Sequence, residues 1–113
     1  MSQLLVFLMS EGALVIHAHP FREAHYIDHI RLYPRHVHGV ETYNACRTEL
    51  ENAMAEHYAD SYGLLHFAGT DNHVAGRRKT FAGMESETPL VDVDDFVKRI
   101  LNSQMKPFRL ELE

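Results

Sequence analysis

The first apolar stretch, Leu4-Leu5-Val6-Phe7-Leu8-Met9, puts Leu4, Leu5, Leu8 and Met9 at helical spacing and predicts a short helix over residues 1–10, closed by Gly12. The unbroken apolar run Leu14-Val15-Ile16 predicts a buried strand over 13–18, which Pro20 ends. Ile27, Ile30 and Leu32, with charges between them, predict a short helix over 26–32 that stops before Pro34. Residues 37–43 read as a second strand, with Val37, Gly39, Glu41 and Tyr43 on one face and His38, Val40 and Thr42 on the other.

Asn44 is placed to cap a long helix over 45–62, whose stripe is Cys46, Leu50, Ala53, Met54 and Tyr58 and whose stop is Gly63. A third strand over 64–68 runs out into Gly69-Thr70-Asp71-Asn72-His73, and a fourth is expected over 80–84. Asp92 can cap a last helix with Phe96, Val97, Ile100 and Leu101 as its apolar face, and Lys98 and Arg99 near its end suit the helix dipole. Strands alternating with helices imply an α/β fold with right-handed crossovers and a mainly parallel sheet. Sites in such folds lie beyond the carboxyl ends of the strands, where both polar clusters of this chain fall.

No repeat or linker interrupts the pattern, and 113 residues with 45% hydrophobic content suit one globular domain. The formal charge of −5 argues against duplex nucleic acid, which is bound through clustered Lys and Arg. The amino-terminal apolar run has no preceding basic residue and is too short for a membrane span, so a cytoplasmic chain is expected. Cys46 is the only cysteine, which excludes an internal disulfide and a thiolate-rich zinc cage. A metal would need nitrogen and oxygen ligands. Nine histidines make their placement the main chemical clue.

His17 and His19, two apart at a strand exit, lie on one face and can chelate an ion or simply hydrogen-bond in a polar pocket. Asp71 and His73 repeat the spacing with a mixed oxygen and nitrogen pair suited to Zn²⁺, Mn²⁺ or Fe, and equally fit a turn aspartate with a solvated histidine. The two pairs end different strands of one sheet, so the fold can gather them. Arg22, Arg77 and Arg78 can supply guanidinium groups to a phosphate oxygen or remain surface charge. Glu41, near the same rim, can orient a ligand histidine, hold a metal-bound water or pair with an arginine. His25, His29, His36, His38, His57 and His66 have no comparable arrangement and read as surface or structural residues.

Three strings occur in order: Gly12-Ala13-Leu14-Val15-Ile16-His17-Ala18-His19-Pro20-Phe21-Arg22, Val37-His38-Gly39-Val40-Glu41-Thr42-Tyr43-Asn44 and Ala68-Gly69-Thr70-Asp71-Asn72-His73. Together they resemble the PHP family, the polymerase and histidinol phosphatase phosphoesterases, over about residues 12–104. The resemblance implies part of a distorted β/α barrel, its carboxyl-terminal half, in which metal-activated water attacks a phosphate ester. It places metal ligands at His19, Asp71 and His73 and a supporting acid at Glu41, while His17 rests on spacing and Arg22 is expected to bind phosphate. The family's amino-terminal H-x-H ligands are absent from this sequence, so a complete site is not expected of it alone. A half barrel exposes a sheet edge, which predicts a homo-oligomer. The alternative is a non-catalytic metal-binding or oligomerising domain derived from the same fold.

Overall fold

The computed structural model describes residues 1–24, 27, 29–73 and 79–111. Helix α1, Ser2–Ser10, forms as its spacing predicts. Past Glu11 the chain turns through Gly12, whose φ of +84° is open to glycine, while Gly12 N and Ala13 N donate to the Met9 and Leu8 carbonyls. Leu5, Leu8 and Met9 pack on the core, whereas Leu4, Val6 and Phe7 stay exposed. Strand β1 is only Ile16–His17, shorter than its apolar run suggests. Before it, Val15 N donates to His38 Nδ1 at 3.0 Å, so an imidazole replaces a ladder partner there. His38 is thus structural, as expected.

Strand β2, Gly39–Asn44, lies between β1 and β3, Leu65–Gly69, and pairs parallel with both. This three-stranded sheet is the α/β core, and among the described residues it stays open, with β1 and β3 at its edges. Central position explains why Val40 is fully buried and why Gly39 is glycine: a Cβ there would meet Leu65 O and the Phe67 ring at 2.5 Å. The register slips between Glu41 and Tyr43, a bulge that puts one extra residue into β2.

Helix α2, Glu49–Tyr62, starts later than expected. Thr48, not Asn44, is its cap, because Thr48 and Glu51 form a reciprocal capping box that satisfies the first amide donors. Gly63 ends it in the left-handed region, as expected. The buried residues are Ala55, Tyr58 and Ala59, while Leu50 and Met54 are exposed. Small alanines let the helix approach the sheet, and Tyr58 meets Phe21 edge-on at 5.9 Å. The core is accordingly small: Val15, Val37, Val40, Tyr58 and Ala59, with Phe21, Leu64 and the three α1 residues around it.

Two further expectations are corrected. Ile27 and residues 29–32 are not helical, and Ile30 and Leu32 are exposed, so no packed face rewards a helix there; Tyr26 and Asp28 lie outside the described residues. Strand β4, Thr80–Ser86, does not join the parallel sheet. It pairs antiparallel with β5, Met105–Glu111, a strand the sequence pattern did not suggest. Between them runs α3, Val93–Leu101, capped by Asp92 as expected, with Ile100 buried. Arg99 ties the loop before α3 together, donating to Ser86 Oγ, Thr88 O and Pro89 O and pairing with Asp95. This antiparallel pair is fastened just past the end of β3, where Ala82 N donates to Thr70 Oγ1 at 2.8 Å.

Candidate functional site

Three parallel neighbours end on the same side of the sheet, so the residues following β1 and β3 and the last residues of β2 share one mouth. His19 lies two residues beyond β1 and Asp71 two beyond β3, and both have positive φ, +26° and +56°. Asp tolerates that region, but a histidine before proline does not adopt it without strain, and such strain concentrates at functional positions.

The β2 bulge assembles the centre. In a regular strand Glu41 and Asn44 would face opposite ways, whereas here Asn44 Nδ2 donates to Glu41 Oε1 at 2.9 Å. The same Nδ2 donates to Asp71 Oδ2 at 3.1 Å, which puts carboxylate oxygens from two strand ends within about 6 Å of each other. Glu41 Oε1 also accepts from His19 N at 2.9 Å. A chain of hydrogen bonds therefore joins all three strand ends, His19 to Glu41 to Asn44 to Asp71.

Asn44 is 1% exposed and fixed on every side: its Oδ1 accepts from Cys46 N at 2.8 Å, its N donates to Asn52 Oδ1, and its O accepts from Asn52 Nδ2. The Cys46 N–H settles the amide orientation, leaving the NH₂ to the two carboxylates. Sequence reasoning gave Asn44 only a capping role. The signal available was the adjacency of Asn44 to the Glu41 motif; the bulge that turns it inward was not legible.

His73 lies on the rim, with Nδ1 2.9 Å from Asp71 O and 3.4 Å from Asp71 Oδ1, and its side chain is exposed. His17 stands deeper, and its Nδ1 is buried without a hydrogen-bond partner. Burial, and then the neighbouring His19 charge, lower its pKa from the usual histidine value, which favours neutral imidazole. Arg22 lines a cleft with His19, Phe21, Glu41, Arg47 and Glu51. The structure thus brings His19, Glu41 and Asp71 together by main-chain and side-chain contacts and sets His73 beside them. Arg77 and Arg78 lie outside the described residues.

As metal ligands these groups have the right chemistry, hard carboxylate oxygens with imidazole nitrogens. Among the described residues, however, no three His, Cys, Asp or Glu side chains are grouped to hold an ion. The Asn44 amide stands between the two carboxylates and satisfies one oxygen of each. Elsewhere His66 links Asp60 and Thr42 at 2.8 and 3.3 Å, a structural tie between α2 and the sheet that agrees with its expected role. Among the described residues no helix is long and apolar enough to cross a membrane.

Comparison with protein-family models, curated proteins and solved structures found no match.

Proposed function

We propose that this mouth is the carboxyl-terminal share of a PHP-type, metal-dependent phosphoesterase site, built on an open half of the β/α barrel in a cytoplasmic chain. One observation carries the reading: the Asn44 amide joins Glu41 and Asp71, and Glu41 reaches His19, so the ends of all three parallel strands converge. His19, Asp71 and His73 would be ligands for Zn²⁺, Mn²⁺ or Fe, with His17 behind them. The described residues do not group three such side chains, so further ligands would be needed to complete the site. A bound divalent ion supplies a water of lowered pKa and polarises a phosphoryl oxygen.

The chain's own residues divide the remaining tasks. Glu41, held by two N–H donors, keeps a fixed carboxylate at the centre that can orient a ligand imidazole or accept a proton from water. Asn44 holds the carboxylates of neighbouring strands at one separation, pre-organising the mouth before any ion arrives. Arg22, on the cleft wall, can bind the phosphate of a small phosphate-containing substrate. A homo-oligomer would cover the open β1 edge, where Ile16 is exposed. The alternative is a non-catalytic metal-binding or oligomerising domain derived from the same fold, which fits the absence, among the described residues, of three His, Cys, Asp or Glu side chains grouped to hold an ion.

The experiment is metal content of the purified chain after incubation with Zn²⁺ or Mn²⁺, followed by hydrolysis of a generic phosphate monoester, beside Asp71→Ala. Metal uptake that Asp71→Ala abolishes is expected, with turnover separating the enzyme from the non-catalytic alternative. Equal uptake by both proteins would remove the site assignment.

A further inference from the structure

The sequence pattern set Cys46 on the stripe of α2, but that helix begins at Glu49, and Cys46 stands on the turn that leaves β2. The turn is laid against the exit of β3. Asn44 and Gly69 are the last paired residues of the two strands, and Ala45 N donates to Gly69 O at 3.0 Å as a final backbone rung. Past it the thiol takes over. Cys46 Sγ lies 3.1 Å from Thr70 O and 3.3 Å from Asp71 O, so its one proton is shared between two carbonyls. Cys46 N donates to Asn44 Oδ1 at 2.8 Å, and Asn44 Nδ2 donates to Asp71 Oδ2 at 3.1 Å. Cys46 therefore reaches Asp71 twice, at its main-chain oxygen directly and at its carboxylate through Asn44.

Asp71 needs such a hold. It lies two residues past the last paired position of β3, and its φ of +56° is a left-handed backbone that a residue with a side chain adopts only when its surroundings enforce it. From the other side Thr70 Oγ1 accepts from Ala82 N at 2.8 Å, so the peptide ahead of Asp71 is pinned between β4 and the thiol. Without the thiol, the carbonyls of Thr70 and Asp71 would be free to turn. Asp71 could then relax out of the left-handed region, which carries its carboxylate away from Asn44 Nδ2. We propose that Cys46 is a positioning residue of the mouth: its S–H replaces the backbone ladder past the end of β3 and sets the direction in which Asp71 presents its carboxylate. Its consequence for ion binding rests on the reading of the mouth as a metal site; its hold on Asp71 does not.

The test reads the full chain in three ways. Infrared spectroscopy of the wild type follows the S–H stretch, a band that only one residue of this chain can give; it should lie at the lowered frequency of a bonded thiol. In chelator, the Asn44 side-chain NH₂ resonances should move toward those of a solvated amide in Cys46→Ala and stay close to wild type in Cys46→Ser, which keeps a donor. Titration with Mn²⁺, an ion that prefers oxygen and imidazole to thiolate, should show binding about tenfold weaker or worse in Cys46→Ala and largely restored in Cys46→Ser. Asp92→Ala, which uncaps α3, controls for lost stability and should move neither the resonances nor the Mn²⁺ affinity. The band of a free thiol, which needs no variant to fold, would overturn the proposal. So would Asn44 resonances or a Mn²⁺ affinity unchanged in Cys46→Ala, or equal effects of Cys46→Ala and Asp92→Ala. No Mn²⁺ binding by wild type, with a bonded thiol and Asn44 resonances that follow Cys46, would sink the metal-site reading alone. Mn²⁺ bound by wild type with a free thiol would sink this proposal alone.

Discussion

The Asn44 side-chain amide donates to Asp71 Oδ2 at 3.1 Å across 27 positions of sequence, and to Glu41 Oε1 at 2.9 Å through the same nitrogen. One neutral NH₂ group therefore keeps two carboxylates close, a task otherwise met by a cation. Replacing it with alanine leaves both acids facing each other and strips acceptor partners from a buried region. Asn44→Ala is expected to lower stability by about 2–4 kcal/mol in denaturant titration, and Asn44→Asp by more, since a third acid joins the pair. A loss under half a kcal/mol would show that the network is not a structural keystone.

Two glycines of the sheet should respond differently to the same methyl group. At Gly39 a Cβ would meet backbone, Leu65 O at 2.5 Å, whereas at Gly69 it would meet only the Glu41 carboxylate, Oε2 at 2.8 Å. Backbone cannot step aside and a side-chain end can. Gly39→Ala is expected to cost about 3 kcal/mol or more, while Gly69→Ala costs about 1 kcal/mol or less and displaces Glu41 from His19 N. Thermal unfolding measures the first contrast, and the amide resonance of His19 reports the second.

Glu51 gives a pH dependence with a definite sign. Partial burial works to raise its pKa, but hydrogen bonds from Thr48 and Glu23 N–H, with Arg47 nearby, outweigh this and hold it below the usual glutamate value. A carboxyl whose folded pKa is lowered stabilises the fold above its unfolded value near 4.5 and loses that contribution as pH falls through the folded one. Glu51→Gln should therefore be less stable than wild type at pH 7, by about 1 kcal/mol, and the gap should close in acid. A gap that persists unchanged at pH 3 would place the effect elsewhere than in the carboxylate.

Helix α1 carries no charged side chain within Ser2–Ser10, and Leu4, Val6 and Phe7 are 52%, 50% and 57% exposed. With the nearby β1 edge open, self-association is the expected consequence. Light scattering at micromolar concentration should give the mass of a dimer or larger, and the double change Val6→Glu with Phe7→Glu should return the monomer. A wild-type monomer at that concentration would contradict the oligomer.

Much of the fold was legible because its signals are local. Apolar spacing marked α1, the Leu14-Val15-Ile16 run marked the approach to β1, Gly63 marked the end of α2, and Asp92 marked the start of α3. The misplaced start of α2 was also local in origin: Asn44 and Thr48 are both capping residues, and only Thr48 has a glutamate three positions on to complete the box. Strand β5 was missed although Phe108-Arg109-Leu110-Glu111 alternates, because Pro107 lacks a ladder donor and reads against a strand, and because its stability comes from pairing with β4.

For the site, the sequence by itself determined the inventory: imidazoles and acids near the exits of strands. The tertiary structure alone decided which of them meet. Parallel pairing put three strand ends side by side, and a one-residue bulge in β2 turned Asn44 onto Glu41 and Asp71. The physical reason is that side-chain direction alternates with every residue of a strand, so a single slip of register reverses which face a residue serves, and register is fixed by neighbours distant in sequence.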